Sequence, residues 1–152
     1  MRALLLALAL AACATAPPTT PVETIVFETG PCFGACPVYR LTVNSDGDGT
    51  FEGRRFTAVT GIRGFRVTRY QDFARQLEPL RPAQGSVRYS GDACRSMATD
   101  LPSVEVTWRS RRGTQVFYFY YGCDMERNRA IADRLNAAPG LLPIGDFIRP
   151  AR

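Results

Sequence analysis

The 152-residue chain contains no histidine and no lysine. The lack of histidine excludes Ser-His-Asp and Cys-His catalysis, and it excludes histidine-ligated metal sites. Carboxylates are the acid–base groups that remain, yet Asp100 lies beside Pro102 in a turn pattern and Asp124 occupies a helix-cap position. Because nothing in the sequence pairs either of them with a second carboxylate, we predict no catalytic residue and interpret the protein as a non-enzyme.

All nineteen basic residues are arginine, and the chain has fourteen acidic residues. GC-rich coding explains this skew, which is accompanied by frequent alanine, glycine and proline. The positive net charge permits an anionic partner without requiring one. Two groups of arginines are candidates for binding phosphate or acidic sugars, with a solvated face as the alternative: Arg63, Arg66 and Arg69, and Arg109, Arg111 and Arg112.

The chain also lacks a run of about 18 apolar residues, so no membrane-spanning helix is predicted. Its N-terminus instead carries a short apolar stretch over 3–12, which is typical of a signal peptide. The residues Leu10-Ala11-Ala12-Cys13 resemble the lipobox of bacterial lipoproteins. We therefore expect 1–12 to be removed and Cys13 to become the lipid-modified first residue of the mature chain.

Ordinary secretory cleavage after Ala16 is the alternative, but Pro17 directly after the cut is poorly tolerated. The proline- and threonine-rich segment 13–21 is expected to be an extended tether of roughly 25 Å. Because Ala14 is not the aspartate that commonly retains lipoproteins at the inner membrane, we expect the outer membrane, facing the periplasm, if the cell is Gram-negative. The expected partners are the membrane and another envelope protein or an anionic envelope polymer, and nucleic acid is in the wrong compartment.

Residues 22–152 are expected to form one domain of α+β class. Alternation of apolar and polar residues predicts half-buried strands, with an Asp46-Gly47-Asp48-Gly49 turn joining the second and third into a hairpin. The run 115–121 is apolar on both faces, so it should be an interior strand, since an exposed edge of this kind would template aggregation. The six predicted strands are 22–28, 38–43, 50–56, 62–67, 104–109 and 115–121.

Two helices complete the predicted order ββββα-ββα, on a mainly antiparallel sheet. The first should be capped by Thr68 with Gln71 in a capping box, and Pro79 and Pro82 should end it. The second should be capped by Asp124 and stopped at Pro139-Gly140. The stretch 81–102 lacks periodicity and is predicted to be a long loop.

Removing the lipidated Cys13 from the five cysteines leaves four, an even number in an oxidising compartment. Two disulfides are therefore expected, and three pairings are possible. We favour Cys32 with Cys36, because Gly34 lets the short loop close, and Cys94 with Cys123, which would pin the long loop to the end of the aromatic strand.

Three segments of the sequence resemble a known bacterial family. The block Pro-Cys-Phe-Gly-Ala-Cys-Pro-Val-Tyr over 31–39, together with Thr-Asp-Leu-Pro over 99–102 and Tyr-Tyr-Gly over 120–122, is similar to the domain of unknown function 6438. The resemblance implies a small secreted or lipid-anchored envelope protein and supplies no activity. Since family members often carry only the first cysteine pair, it also implies that Cys32 bonds to Cys36 and that Cys94 and Cys123 are an added pair.

The cysteines and the turn at 44–49 allow three chemical alternatives. A redox dithiol at Cys32 and Cys36 is the second hypothesis for function, although a strand follows Cys36 where thioredoxin-type sites have a helix N-terminus. A four-cysteine zinc site lacks a second close cysteine pair. The turn at 44–49 copies half of a calcium loop, but Arg55 stands where a bidentate glutamate is needed. We therefore predict no metal and no cofactor, and a lipoprotein domain that binds or braces another envelope component.

Overall fold

The structure, a computed structural model, describes residues 23–149. The expected signal peptide 1–12, the lipidated Cys13 and the tether 13–21 lie outside the described residues. Within residues 23–149, seven strands and three α-helices follow one another: β1 (Glu23–Thr29), β2 (Val38–Asn44), β3 (Asp48–Arg55), β4 (Gly61–Arg66), α1 (Tyr70–Leu77), β5 (Ser86–Tyr89), β6 (Ser103–Ser110), β7 (Gly113–Tyr120), α2 (Arg129–Ala137) and α3 (Gly145–Ile148).

The strands form a single sheet in the order β4-β3-β2-β1-β6-β7-β5. Every neighbouring pair is antiparallel except β5 and β7, which are parallel, so the sheet is mixed. The α+β class is as predicted, whereas the finer expectation of six antiparallel strands and two helices was short by one strand and one helix.

Side-chain alternation decides which face of the sheet becomes the core. Ile25 on β1 and Leu41 on β2 point to the same face and are fully buried. Phe73 from α1 and Leu135 from α2 are also fully buried and belong to this one cluster. Phe27 meets Phe73 edge-on, with ring centroids 6.5 Å apart. The helices therefore cover one face of the sheet, and strand and helix periodicity agree on it.

The aromatic strand β7 lies between β6 and β5, in the interior position predicted for it. Its second neighbour, β5, falls within 81–102, where a loop without strands was predicted. That prediction was wrong because Ser86–Tyr89 is too short and too polar to show a period of its own. The strand exists because β7 offers it a row of hydrogen-bonding groups, beginning with the Val116 N–H, which donates to the Gly85 carbonyl at 2.9 Å.

Both helix starts differ from the prediction. The residue that precedes α1 is Arg69, and it makes no side-chain cap bond, so the expected Thr68 cap does not form. The residue that precedes α2 is Asn128 rather than Asp124, and the helix begins five residues after that aspartate. Asp124 itself has a positive φ of 44°, and its carboxylate binds another segment.

Across residues 23–149 there is no helix that combines enough length with enough apolar character to traverse a bilayer.

Candidate functional site

The two ends of the sheet carry different chemistry. Strand β1 runs from Glu23 to Thr29, and its neighbours β2 and β6 run the opposite way. We call the end where β1 finishes the disulfide end; it comprises 30–37, 94–102 and 121–124. The opposite end, where Glu23 faces Ser110 across the sheet, is called the Glu23 end.

Two disulfides lie at the disulfide end, one joining Cys32 to Cys36 and the other joining Cys94 to Cys123. Their Cα atoms are 5.8 and 5.3 Å apart, within the range that an unstrained disulfide allows. This is the pairing that Gly34 and the family resemblance favoured. Zinc ligation by the four cysteines is not available while these bonds are formed.

The segment 94–102 connects the two disulfide-bonded loops. The Phe33 N–H, within the first loop, donates to the Asp100 carbonyl at 3.2 Å. The Ala98 N–H donates to the Gly122 carbonyl at 2.9 Å, beside Cys123. The two disulfides therefore brace one continuous surface, an arrangement that the spacing of the cysteines does not predict.

Asp124 forms hydrogen bonds between the same two segments that the Cys94–Cys123 disulfide joins. Its carboxylate accepts the Ser96 N–H at 2.8 Å and the Arg95 N–H at 3.1 Å. These backbone hydrogen bonds lower the pKa of Asp124, because they stabilise the charged carboxylate. Asp124 is a structural anchor for the cysteine loop, and it is not the helix cap that its position suggested.

A cleft of about 830 Å³ opens at the disulfide end between this surface and α2. Cys36 and Pro37 border it on one side, and Leu101 and Pro102 border it on another. Aromatic side chains line it toward the sheet, namely Phe27, Tyr39, Phe119 and Tyr121. Polar and charged side chains line it on and just before α2, namely Glu126, Arg129, Asp133 and Asn136. An apolar interior with a few polar groups at the rim is the usual composition of a small-ligand site.

Tyr39 is the central polar group of the cleft. Its side chain is 5% exposed, and its ring stacks on Phe51 with centroids 5.4 Å apart. Its backbone N–H donates to Thr29 Oγ1 at 2.9 Å. Its hydroxyl has no hydrogen-bond partner among residues 23–149 but is open to the cleft, whereas Trp108 Nε1 is the fully buried side-chain donor there that lacks one. Burial is the main cause that raises the pKa of Tyr39, with the nearby Tyr121 adding to it, so the phenol is neutral.

Tyr121 lies on the α2 side of the same cleft. Its hydroxyl donates to Asn136 Oδ1 at 2.8 Å, and its ring meets Phe119 edge-on at 5.2 Å. Burial raises the pKa of Tyr121 to about 12. Both phenols are therefore protonated at neutral pH, which suits them to donate hydrogen bonds and not to abstract protons.

The arginines proposed from the sequence lie away from the cleft. Arg109 is near the end of β6, and Arg111 and Arg112 form the turn between β6 and β7, all at the Glu23 end and all exposed. In the other group, Arg66 pairs with Asp48, and Arg69 pairs with Asp72 at 2.8 Å. The two groups lie apart from each other, so they do not form one anion-binding site.

Sequence reasoning placed Tyr39 and Tyr121 in strands without seeing a site. Their cleft is built from β2, β7 and α2, which are far apart along the chain, and a single sequence does not show that they converge. The available signal was the family block, which ends at Tyr39. Within residues 23–149, no group of three cysteine, aspartate or glutamate side chains is placed to hold a metal ion.

A family model described as a domain of unknown function, DUF6438, matches residues 23–139, which is more than half of the chain. The match begins at the first residue of β1 and ends just after α2, so it includes both disulfides and every residue that lines the cleft except Ile148. No curated protein and no solved structure matches the chain.

Proposed function

This chain belongs to the DUF6438 family, a domain of unknown function, and we propose that it is a non-catalytic envelope lipoprotein. In this proposal, lipid on Cys13 holds the chain at the membrane, and the cleft at the disulfide end binds an apolar or aromatic part of another envelope component. The resemblance of 10–13 to a lipobox supports the anchor, and the cleft supports the binding role.

The observation that carries the binding role is the Tyr39 hydroxyl, which lines the cleft without a hydrogen-bond partner among the residues described and is not enclosed by protein. A ligand oxygen or nitrogen beside Tyr39 would form a hydrogen bond there without displacing a protein partner, while Phe119 and its aromatic neighbours cover apolar surface. The raised phenol pKa favours recognition over proton transfer.

The position of the cleft also suits a tethered binding domain. The chain enters the described structure at Glu23, and the cleft is lined by Phe27 and Thr29, near the other end of β1. Seven strand residues span roughly 23 Å. A lipid anchor ahead of Glu23 would therefore leave the cleft at the end of the domain farther from the point of attachment.

In intact cells, a photo-crosslinking residue at Met125 tests the binding role. Met125 borders the cleft and is 53% exposed, and Ile62 on β4 is a matched control because it is 72% exposed and does not line the cleft. We expect a crosslinked product from the Met125 position and none from Ile62, and the product should disappear when Ala132→Phe fills the cleft. Equal crosslinking at both positions, or recovery of the chain alone, would refute the proposal.

The anchor is tested separately with Cys13→Ser. The unmodified chain should be recovered with membranes, and its mature N-terminus should carry the mass of acyl chains. Cys13→Ser should lose both properties while it keeps its two disulfides. A Cys13→Ser chain that fractionates like the unmodified chain would contradict lipid anchoring.

Thiol–disulfide exchange at Cys32 and Cys36 is a second candidate, favoured by one observation: Cys36 borders the cleft, where a partner's thiolate would reach the bond. Attack by one thiolate of the partner would break the Cys32–Cys36 bond and form a mixed disulfide. A second thiolate of the partner would then break that mixed disulfide, so that the partner leaves with a disulfide of its own and Cys32 and Cys36 are left as thiols, having taken up two electrons. The reduction potential of this pair separates the two roles. A value near those of known exchange enzymes supports redox, and one below about −300 mV supports a structural bond.

A further inference from the structure

We propose that the Glu23 end is a docking surface for the phosphate headgroups of an anionic bilayer, through Arg109, Arg111 and Arg112. This inference rests on the proposed lipid anchor, because the anchor brings this end of the domain to the membrane. It assigns the three arginines a partner and gives the domain one orientation, with the cleft directed away from the bilayer.

Strand register places the arginines beside the point where the chain enters the domain. Glu23 faces Ser110, and Thr24 faces Arg109, across the β1–β6 pair. Arg111 and Arg112 follow Ser110 directly and form the tight turn into β7, where Gly113 has a φ of 121°. Neighbouring strands are about 4.8 Å apart, so the turn lies next to residue 23. A tether attached there has this turn as its nearest exposed surface.

The three guanidinium groups are free to bind an external anion. None of them is within salt-bridge distance of a carboxylate in the part of the chain that the structure describes, and all three residues are exposed. Two acids, Glu23 and Glu78, line a groove with Arg111 and Arg112, and both pair with Arg81, at 2.8 and 3.6 Å. Glu23 also accepts a hydrogen bond from the Tyr70 hydroxyl at 2.7 Å. Segment 13–22 contains no aspartate or glutamate, so the tether supplies no competing charge.

Other arginines at the same end have a carboxylate partner. Arg66 is paired with Asp48, and Arg69 and Arg75 share Asp72. Arg75 also shares a groove with Arg111 and Arg112. The arginines at the β6–β7 turn differ from these in having no carboxylate partner among the residues described, and they lie on the side of the sheet where Glu23 lies.

The tether is long enough to permit contact and short enough to keep the turn near the surface. Ten residues from 13 to 22 span at most roughly 35 Å when fully extended. Basic residues close to an anionic leaflet each strengthen binding severalfold. With the anchor confining the domain, three of them are enough to favour one orientation.

The test uses the mature chain from residue 13 with Cys13→Ser, so that no lipid contributes, and vesicles of phosphatidylglycerol with phosphatidylcholine or of phosphatidylcholine alone. We expect binding to the anionic vesicles only, falling about a hundredfold in the triple variant Arg109→Gln, Arg111→Gln, Arg112→Gln. A matched triple variant, Arg63→Gln, Arg95→Gln, Arg127→Gln, removes the same charge from exposed positions elsewhere and should bind within about threefold of the parent chain.

Equal loss in both triple variants would show a net-charge effect and overturn the inference, as would no binding to anionic vesicles. Tighter binding to soluble polygalacturonate than to the vesicles would assign the surface to an acidic polysaccharide instead. Circular dichroism and the urea midpoint check that the turn variants are folded. Since this assay uses unlipidated chain and leaves the cleft intact, its failure is distinguishable from failure of the anchor or of cleft binding.

Discussion

The carboxylate of Asp124, four residues after β7, accepts the backbone N–H of Ser96 at 2.8 Å. The two residues are 28 positions apart, and the Cys94–Cys123 bond joins the same two segments. A charge-assisted hydrogen bond and a covalent bond thus hold the loop that borders the cleft.

Asp124→Asn should lower the urea midpoint at neutral pH. Asparagine keeps the shape of the side chain and tolerates the positive φ. The variant therefore removes the negative charge of the group that accepts the Ser96 and Arg95 N–H groups, without changing its size. Because the folded-state pKa of Asp124 is lowered, its contribution is present above the unfolded value of about 3.9 and lost as the pH falls below it.

The difference between parent and variant should therefore narrow as the pH falls below about 4. Asp92→Asn, in the same loop but exposed, is the control and should leave the midpoint unchanged. If the Asp124→Asn difference is the same at pH 2.5 as at pH 6, the charged hydrogen bonds are not its source.

The two disulfides should contribute unequally to the free energy of unfolding. Cys94 and Cys123 are separated by 29 positions. Removing their bond should lower the free energy of unfolding by roughly 3–4 kcal/mol, because the unfolded chain gains conformational entropy. Cys32 and Cys36 are separated by 4, which predicts about 2 kcal/mol. Paired Cys→Ala variants, measured by urea denaturation, check the order; a larger loss from the shorter loop would reverse it.

Gly122→Ala should destabilise the domain by about 1–3 kcal/mol. A Cβ at this position would lie 2.1 Å from the Ala98 carbonyl oxygen, which is backbone and cannot turn aside. Gly140→Ala is the matched control, because nothing lies within 4 Å of a Cβ there. The control should be neutral or slightly stabilising in thermal denaturation. Equal effects of the two substitutions would argue against the close approach of 98 and 122.

Alkaline pH should unfold the protein through its tyrosines. The chain has no lysine, and its described cysteines are disulfide-bonded, so tyrosine dominates titration between about pH 9 and 12. Burial raises the pKa of Tyr39 and Tyr70, and raises that of Tyr121 to about 12. A raised folded-state pKa gives stability that is complete below the unfolded value of about 10 and is lost as the pH rises above it.

Tyr39→Phe should lessen this alkaline loss and leave stability at pH 7 unchanged or up to about 1 kcal/mol higher, since no protein partner is lost. Tyr70→Phe is the comparison, because it removes a hydrogen bond to Glu23 at 2.7 Å and should cost about 1 kcal/mol. Urea midpoints at pH 7 and pH 11 measure both. A large loss at pH 7 for Tyr39→Phe would reveal a partner for its hydroxyl.

The alternation of apolar and polar residues predicted most of the strands, because a strand buried on one face needs an apolar side chain at every second position. The aromatic run in β7 also revealed its interior position, since both of its faces are apolar. Strand β5 was missed because its pairing is imposed by β7 and not by its own residues. The start of α2 was misplaced for a related reason: Asp124 has the side chain of a helix cap, but Ser96, distant in sequence, takes its carboxylate.

The sequence alone determined the α+β class, the family resemblance, and which cysteine pairing was favoured, because these follow from composition and short-range spacing. Only the tertiary structure decided that both disulfides brace one surface, that Tyr39 and Tyr121 share a cleft with α2, and that Arg111 and Arg112 turn beside Glu23. These relations depend on which strands are neighbours and in what register, and long-range pairing leaves little trace in the local pattern of either partner.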